Sequence, residues 1–173
     1  YARGDITIKN STINGSNFAV HFDGSNGGNI TFDKCDITGW VSYAGTINKV
    51  TLKDSTFNAG EFAGQRSYTK DLVIEGCTFE AGYKLDIATT EAKVEVSNSQ
   101  MADGSEIVEL FHKEDVPSSN VTVDGERIMY VAKIGNTYYE TLEEALAAVT
   151  DYTLIKLVAD ATLDYGARDV YGR

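Results

Sequence analysis

The sequence predicts an all-β solenoid, in which short strands wind into stacked coils. Three observations carry this expectation. An eight-residue pattern, written most clearly as Val50-Thr-Leu-Lys-Asp-Ser-Thr-Phe57, recurs at Ile6–Ile13, Ile30–Ile37, Leu72–Phe79, Val94–Met101 and, more loosely, Val121–Ile128. Successive copies start 24, 20, 22, 22 and 27 residues apart. At such a period one coil cannot bury its apolar face alone, and stacking supplies a continuous core. Each copy also alternates like a strand and then breaks at a fixed place.

The positions of the pattern have separate tasks. The first and third residues are apolar (Ile6/Ile8, Ile30/Phe32, Val50/Leu52, Leu72/Ile74, Val94/Val96), which places both on one face of a strand. The fifth reads Asn10, Lys34, Asp54, Gly76, Asn98, Gly125. All but Lys34 tolerate a positive φ, so a one-residue left-handed corner is expected there. The sixth is small in five copies (Ser11, Cys35, Ser55, Cys77, Ser99) and breaks to Glu126 in the last, which points to a tight interior column. The eighth is apolar and inward again. Outward, Lys9, Asp33, Lys53 and Glu75 alternate in sign along the stack, which supports register without forming a site.

This pattern resembles the right-handed parallel β-helix of the pectate-lyase-like superfamily, over roughly residues 5–128. The resemblance implies five to six coils with short sheets running along the axis. It leaves activity open, because that fold hosts lyases, hydrolases, tail spikes and adhesins. A third strand per coil is expected at Phe18–Phe22, Trp40–Tyr43, Glu61–Phe62, Tyr83–Ile87 and Ile107–Phe111.

Pro117, the only proline, lies in a turn-rich segment that ends the fifth coil. Residues 121–140 then read either as a sixth coil or as a meander with turns at Asp124-Gly125 and Gly135-Asn136. Thr141 and Glu144 form a capping box, and Leu142, Ala145, Leu146 and Val149 recur at helical spacing, so a short helix follows. Thr153–Val158 reads as a strand. The expected division is 1–128, a β-helix segment, and 129–173, a meander with a capping helix. Residues 131–163 are similar to a unit of large surface proteins of gut bacteria, in which a helix caps the opening of a β-helix. That resemblance implies that 129–173 opens a following β-helix, and it places the chain outside the cell, on a bacterial surface.

Composition narrows the function. Hydrophobic residues make up 42% of the chain, enough for a substantial core. The net charge is −11 and no Lys/Arg cluster exists, which argues against nucleic acid, and no apolar run suits membrane insertion. The chain starts at Tyr1 and stops at Arg173 in mid-pattern, which reads as a piece of a longer protein, monomeric by itself. Cys35 and Cys77 share a column two coils apart, roughly 10 Å at strand spacing. That exceeds the reach of a disulfide, so both thiols are expected to be free and buried.

No catalytic constellation, cofactor site or metal site is expected. No column stacks two carboxylates in successive coils. His21 and His112 show no ligand spacing, and Asp23–Asn29 offers too few acids for calcium. Binding is expected at aromatic and basic residues in or beside the variable segments: Trp40, Tyr43, Phe62, Arg66, Tyr68 and Tyr83. Aromatic platforms stack on sugars and anchor protein interfaces. The competing and favoured reading of Trp40, Phe62 and Tyr83 is that they are core residues of the third strand. The leading expectation is a non-catalytic scaffold presenting loops for adhesion to host glycan or to a host mucosal protein such as immunoglobulin. The alternatives are a fragment of a polysaccharide lyase or glycoside hydrolase with its catalytic residues elsewhere, or a phage tail-spike segment.

Overall fold

A computed structural model describes residues 4–24, 28–45, 47–59, 65–67, 69–87, 91–150 and 153–161. They fall into two compact units, Tyr1–Ile128 and Met129–Arg173. The first is a parallel β-helix. Its opening coils comprise β1 (Ile6–Lys9) with β2 (Thr12–Gly24), then β3 (Asn29–Asp33) with β4 (Asp36–Gly45). The third has β5 (Lys49–Lys53), β6 (Thr56–Asn58) and β7 (Gln65–Ser67). The fourth has β8 (Asp71–Glu75), β9 (Thr78–Phe79) and β10 (Leu85–Ile87). The fifth has β11 (Lys93–Ser97) and β12 (Gln100–Met101), and β13 (Asn120–Val123) with β14 (Glu126–Arg127) closes the unit.

The repeat register is the sheet register. Along the first wall, β1-β3-β5-β8-β11-β13, Ile6 pairs with Ile30, Ile30 with Val50, Val50 with Leu72, Leu72 with Val94 and Val94 with Val121, all in parallel. Their side chains and those two residues on form the core, with Phe32, Val50, Leu52, Ile74 and Val94 fully buried. The alternating charges pair as expected, Lys9 with Asp33 at 3.2 Å and Lys53 with Glu75 at 3.4 Å. The second and third walls join in one sheet, because β2 and β4 run through the corner that later coils break.

The corner is left-handed at Asn10, Lys34, Asp54, Gly76 and Asn98. Lys34 adopts it too, at φ 57°, although its side chain gives no local reward there. The stack imposes it: the Lys34 N–H must reach the Lys53 carbonyl of the next coil, at 3.0 Å. Past the corner the small column forms a relay between coils. Ser55 Oγ accepts the Cys35 N–H at 3.0 Å and donates to the Lys53 carbonyl at 2.6 Å. Ser99 does the same for Cys77 and Ser97.

Both cysteines are free and buried. Burial pushes the Cys77 thiol up from 9.0 to about 11, against the lowering effect of hydrogen bonds with the Ser55 and Glu75 backbone. A thiol raised on folding stabilises fully below its unfolded value and loses that contribution as pH rises through the folded value. Stability is therefore expected to fall between pH 9 and 11 by about 2 kcal/mol more in the wild type than in Cys77→Ser. Urea unfolding of both chains at pH 8 and pH 11 checks this.

One reading left open is resolved by the structure, and two others need correction. The sixth copy is a rung that turns back: β13 pairs with β11 in parallel, then β14 returns antiparallel through Asp124 and Gly125, both at positive φ. Glu126 stands where the other copies place a small residue, buried at Cys35, Ser55 and Cys77, so the chain cannot continue inward. The third wall is a strand in the first four coils only, and in the third coil it lies at Gln65–Ser67, while residues 61–62 are outside the described set. In the fifth coil it is a 3-10 turn, Ile107–Leu110. Leu110 and Phe111 are both buried, whereas β10 beside them alternates, with Leu85 and Ile87 buried and Asp86 between them half-buried. Five to six coils is thus the count for the first wall, and fewer have strands on all three.

In the second unit, β15 (Ala132–Ile134), β16 (Thr137–Tyr139) and β17 (Ile155–Leu157) form an antiparallel sheet of order β16-β15-β17. Helix α1 (Leu142–Ala147) starts with the expected capping box. Its apolar face is narrower than expected: Ala145 is buried, whereas Leu146 and Val149 are 46% and 41% exposed. The helix has only six residues, and Val149 lies beyond its end.

Candidate functional site

Side chains outside the core gather at two places on the β-helix. The first is the surface formed by β2 and β4. A bulge on β2 between Asn14 and Val20 shifts the register and sets Phe18 opposite Trp40. Phe18 is 59% exposed, and its ring meets the exposed His21 edge-on at 5.6 Å. Trp40 is half-buried. Two glycines make this possible: Gly39 sits at φ 113°, and a Cβ there would lie 2.6 Å from the Gly15 carbonyl oxygen. Phe18 and His21 thus make a ring contact on the first coil, and Trp40 lies across from Phe18 in the backbone register of the second, the three residues of an aromatic strip.

The expected binding residues separate in the structure. Trp40 belongs to this strip. Tyr43 is on β4 and Arg66 on β7, where the backbone register puts Phe22 beside Tyr43 and Ser42 beside Arg66. Phe62 and Tyr68 lie outside the described residues. Tyr83 is not a surface residue. It is fully buried against Phe57 and Phe79, with ring centroids 6.0 and 5.6 Å away, so the core reading holds for it. Phe18 was missed because it heads a segment that alternates like a strand, and an apolar residue there reads as inward. The bulge that turns it outward has Asn14-Gly15 as its sequence signal.

The second place is a groove of about 500 Å³ where the fourth coil meets the fifth. Gly82 and Lys84 of the fourth coil line it, with Met101, Asp103, Ser105, Glu106 and Glu109 of the fifth. The Asp103 carboxylate accepts the Ser105 hydroxyl at 2.7 Å and its N–H at 3.0 Å, which holds it below the usual carboxylate range. Lys84 bonds the Glu109 carbonyl oxygen and faces its carboxylate at 3.6 Å. Next to the groove, His112 Nε2 meets Asp86 Oδ1 at 2.8 Å. Asp115 accepts the Ile87 N–H at 3.3 Å, and partial burial raises its carboxyl. This lining suits hydroxyl-rich or cationic ligands. Among the described residues, no group of three or more His, Cys, Asp or Glu is placed to hold a metal ion.

A family model described as a right-handed beta helix region matches residues 1–141. No curated protein and no solved structure matches the chain.

Proposed function

The chain belongs to the right-handed β-helix family, and from that premise we propose that it is a rigid, non-catalytic module of an extracellular bacterial surface protein, adhering to host glycan or to a host mucosal protein such as immunoglobulin. The observation that carries the reading is the pairing of Phe18 with Trp40 on adjacent rungs. Rungs stack about 4.8 Å apart, so two aromatic faces held there offer a platform to a sugar ring or a partner's side chain. The groove at the fourth and fifth coils adds a polar surface of the kind that hydroxyl-rich ligands need.

The same reading makes residues 129–173 the opening of a following β-helix. Leu146, Val149, Leu154 and Leu157 support it, since apolar side chains this exposed on a small unit suit further coils packing on it.

The test is a binding screen of the chain against a glycan array and a panel of mucosal proteins. A specific hit is expected to weaken at least tenfold in Trp40→Ala and in Phe18→Ala, the loss typical of an aromatic anchor. A hit unchanged in both variants, or no hit with a folded chain, would overturn the adhesive reading.

A further inference from the structure

We propose that residues 103–119 form a strap whose hold on the fourth coil is set by charged side chains, so that it opens as a unit while the four preceding coils stay closed. The preceding coils are joined by continuous parallel ladders of backbone hydrogen bonds, as in the five-residue register between β5 and β8. Between β12 and β13 this ladder gives way to two 3-10 turns, Ile107–Leu110 and Val116–Ser118, and an isolated bridge between Leu85 and Phe111.

Side-chain contacts take over the ladder's place at Lys84, Asp86 and Ile87. Lys84 bonds Glu109 through both its carbonyl and carboxylate oxygens. Asp86 meets His112, and the Ile87 N–H goes to the Asp115 carboxylate rather than to a backbone carbonyl. Leu110, Phe111 and Val116 are buried beneath, so the strap has its own apolar anchor and moves as one piece. The Lys84–Glu109 pair is ionic and partly exposed, the His112–Asp86 pair is ionic only while the imidazole is protonated, and the Ile87 N–H bonds a carboxylate; such contacts are weaker and more salt-sensitive than a backbone ladder. They also join the two sides of the groove, since Lys84 lies on the fixed side and Glu109 on the strap.

Native-state hydrogen exchange of the whole chain tests this. The Ile87 amide donates across the junction to the Asp115 carboxylate, so it loses its partner when the strap opens and reports that opening. It is expected to exchange at least tenfold faster than the first-wall amides of β5 and β8. Asp86→Asn is expected to speed it a further threefold or so, and raising the salt from about 0.05 to 0.5 M is expected to do the same in the wild type. Amides of β5 and β8 stay unchanged in both cases. Exchange of the Ile87 and ladder amides at one common rate would overturn the proposal. So would an Ile87 rate indifferent to both the substitution and the salt. The salt arm uses the wild type, so the result stands even if the variant folds poorly.

Discussion

Phe79→Ala is expected to lower the unfolding free energy by about 4 kcal/mol. Phe79 lies flat against Phe57, with ring centroids 5.1 Å apart and planes 12° from parallel, and tilts against Tyr83 on its own coil. All three rings are fully buried. Removing the middle ring takes away its transfer energy and leaves a cavity that two rigid aromatics cannot collapse to fill. Stability in a solenoid is a sum of coil terms and neighbour terms, so the loss falls on the junction between the third and fourth coils. Urea unfolding followed by far-ultraviolet circular dichroism reads the free energy. A broadened transition, with a lower slope, would show the coils on either side coming apart. The contrasting variant is Phe18→Ala, whose ring is mostly in water. It is expected to stay within about 0.5 kcal/mol of the wild type. A loss below 1.5 kcal/mol in Phe79→Ala would mean that the stacked rings do not carry the core.

Gly39→Ala is expected to cost about 3 kcal/mol, by a different route. The alanine would meet two objections together: a φ of 113°, which L side chains rarely adopt, and a backbone oxygen at 2.6 Å that cannot rotate away. Gly82 separates the two. It also has a positive φ, 77°, but nothing lies within 4 Å of its would-be Cβ. Gly82→Ala should therefore cost only the conformational part, about 1 kcal/mol. Thermal and urea unfolding of the pair measures the difference, and equal losses would remove the steric argument. Gly39 also precedes Trp40, so its replacement shifts the indole relative to Phe18. Any ligand held by the aromatic strip is then bound more weakly, even where the chain stays folded.

The parts of this molecule that could be read from the chain are those where one residue position meets one physical demand. A two-residue alternation and a fixed break make the first wall and its corner visible, because every coil repeats the same burial and the same hydrogen bond. The free thiols followed from that register alone. The third wall was harder, since its strands are bounded by segments of unequal length and its last member must bury two neighbours, Leu110 and Phe111. Lys34 shows the limit at the corners: its own preference opposes a positive φ, and the ladder on either side overrides it. At the candidate site, Trp40 could be named from composition, but its partner Phe18 could not. What turns Phe18 outward is a bulge, a property of two strands in register. Tyr83 looked the same as Trp40 in sequence and went the other way, because Phe57 and Phe79 stack beneath it.

The relay through Ser55 and Ser99 has a mechanical consequence. The hydrogen bonds between coils point along the stacking direction, so tension along that direction loads the junctions in series and not together. Each junction then bears the whole force, and the chain yields where the fewest bonds cross. Ser55 and Ser99 each add one side-chain bond across a junction at its sharpest bend, where a corner would otherwise begin to peel. Between the fourth and fifth coils that reinforcement sits on one edge, while the opposite edge has ionic contacts in place of a ladder. A pull along that direction would therefore lengthen the β-helix in discrete steps, with the first release where β13 meets β11 through a four-residue register and, among the described residues, no second-wall ladder.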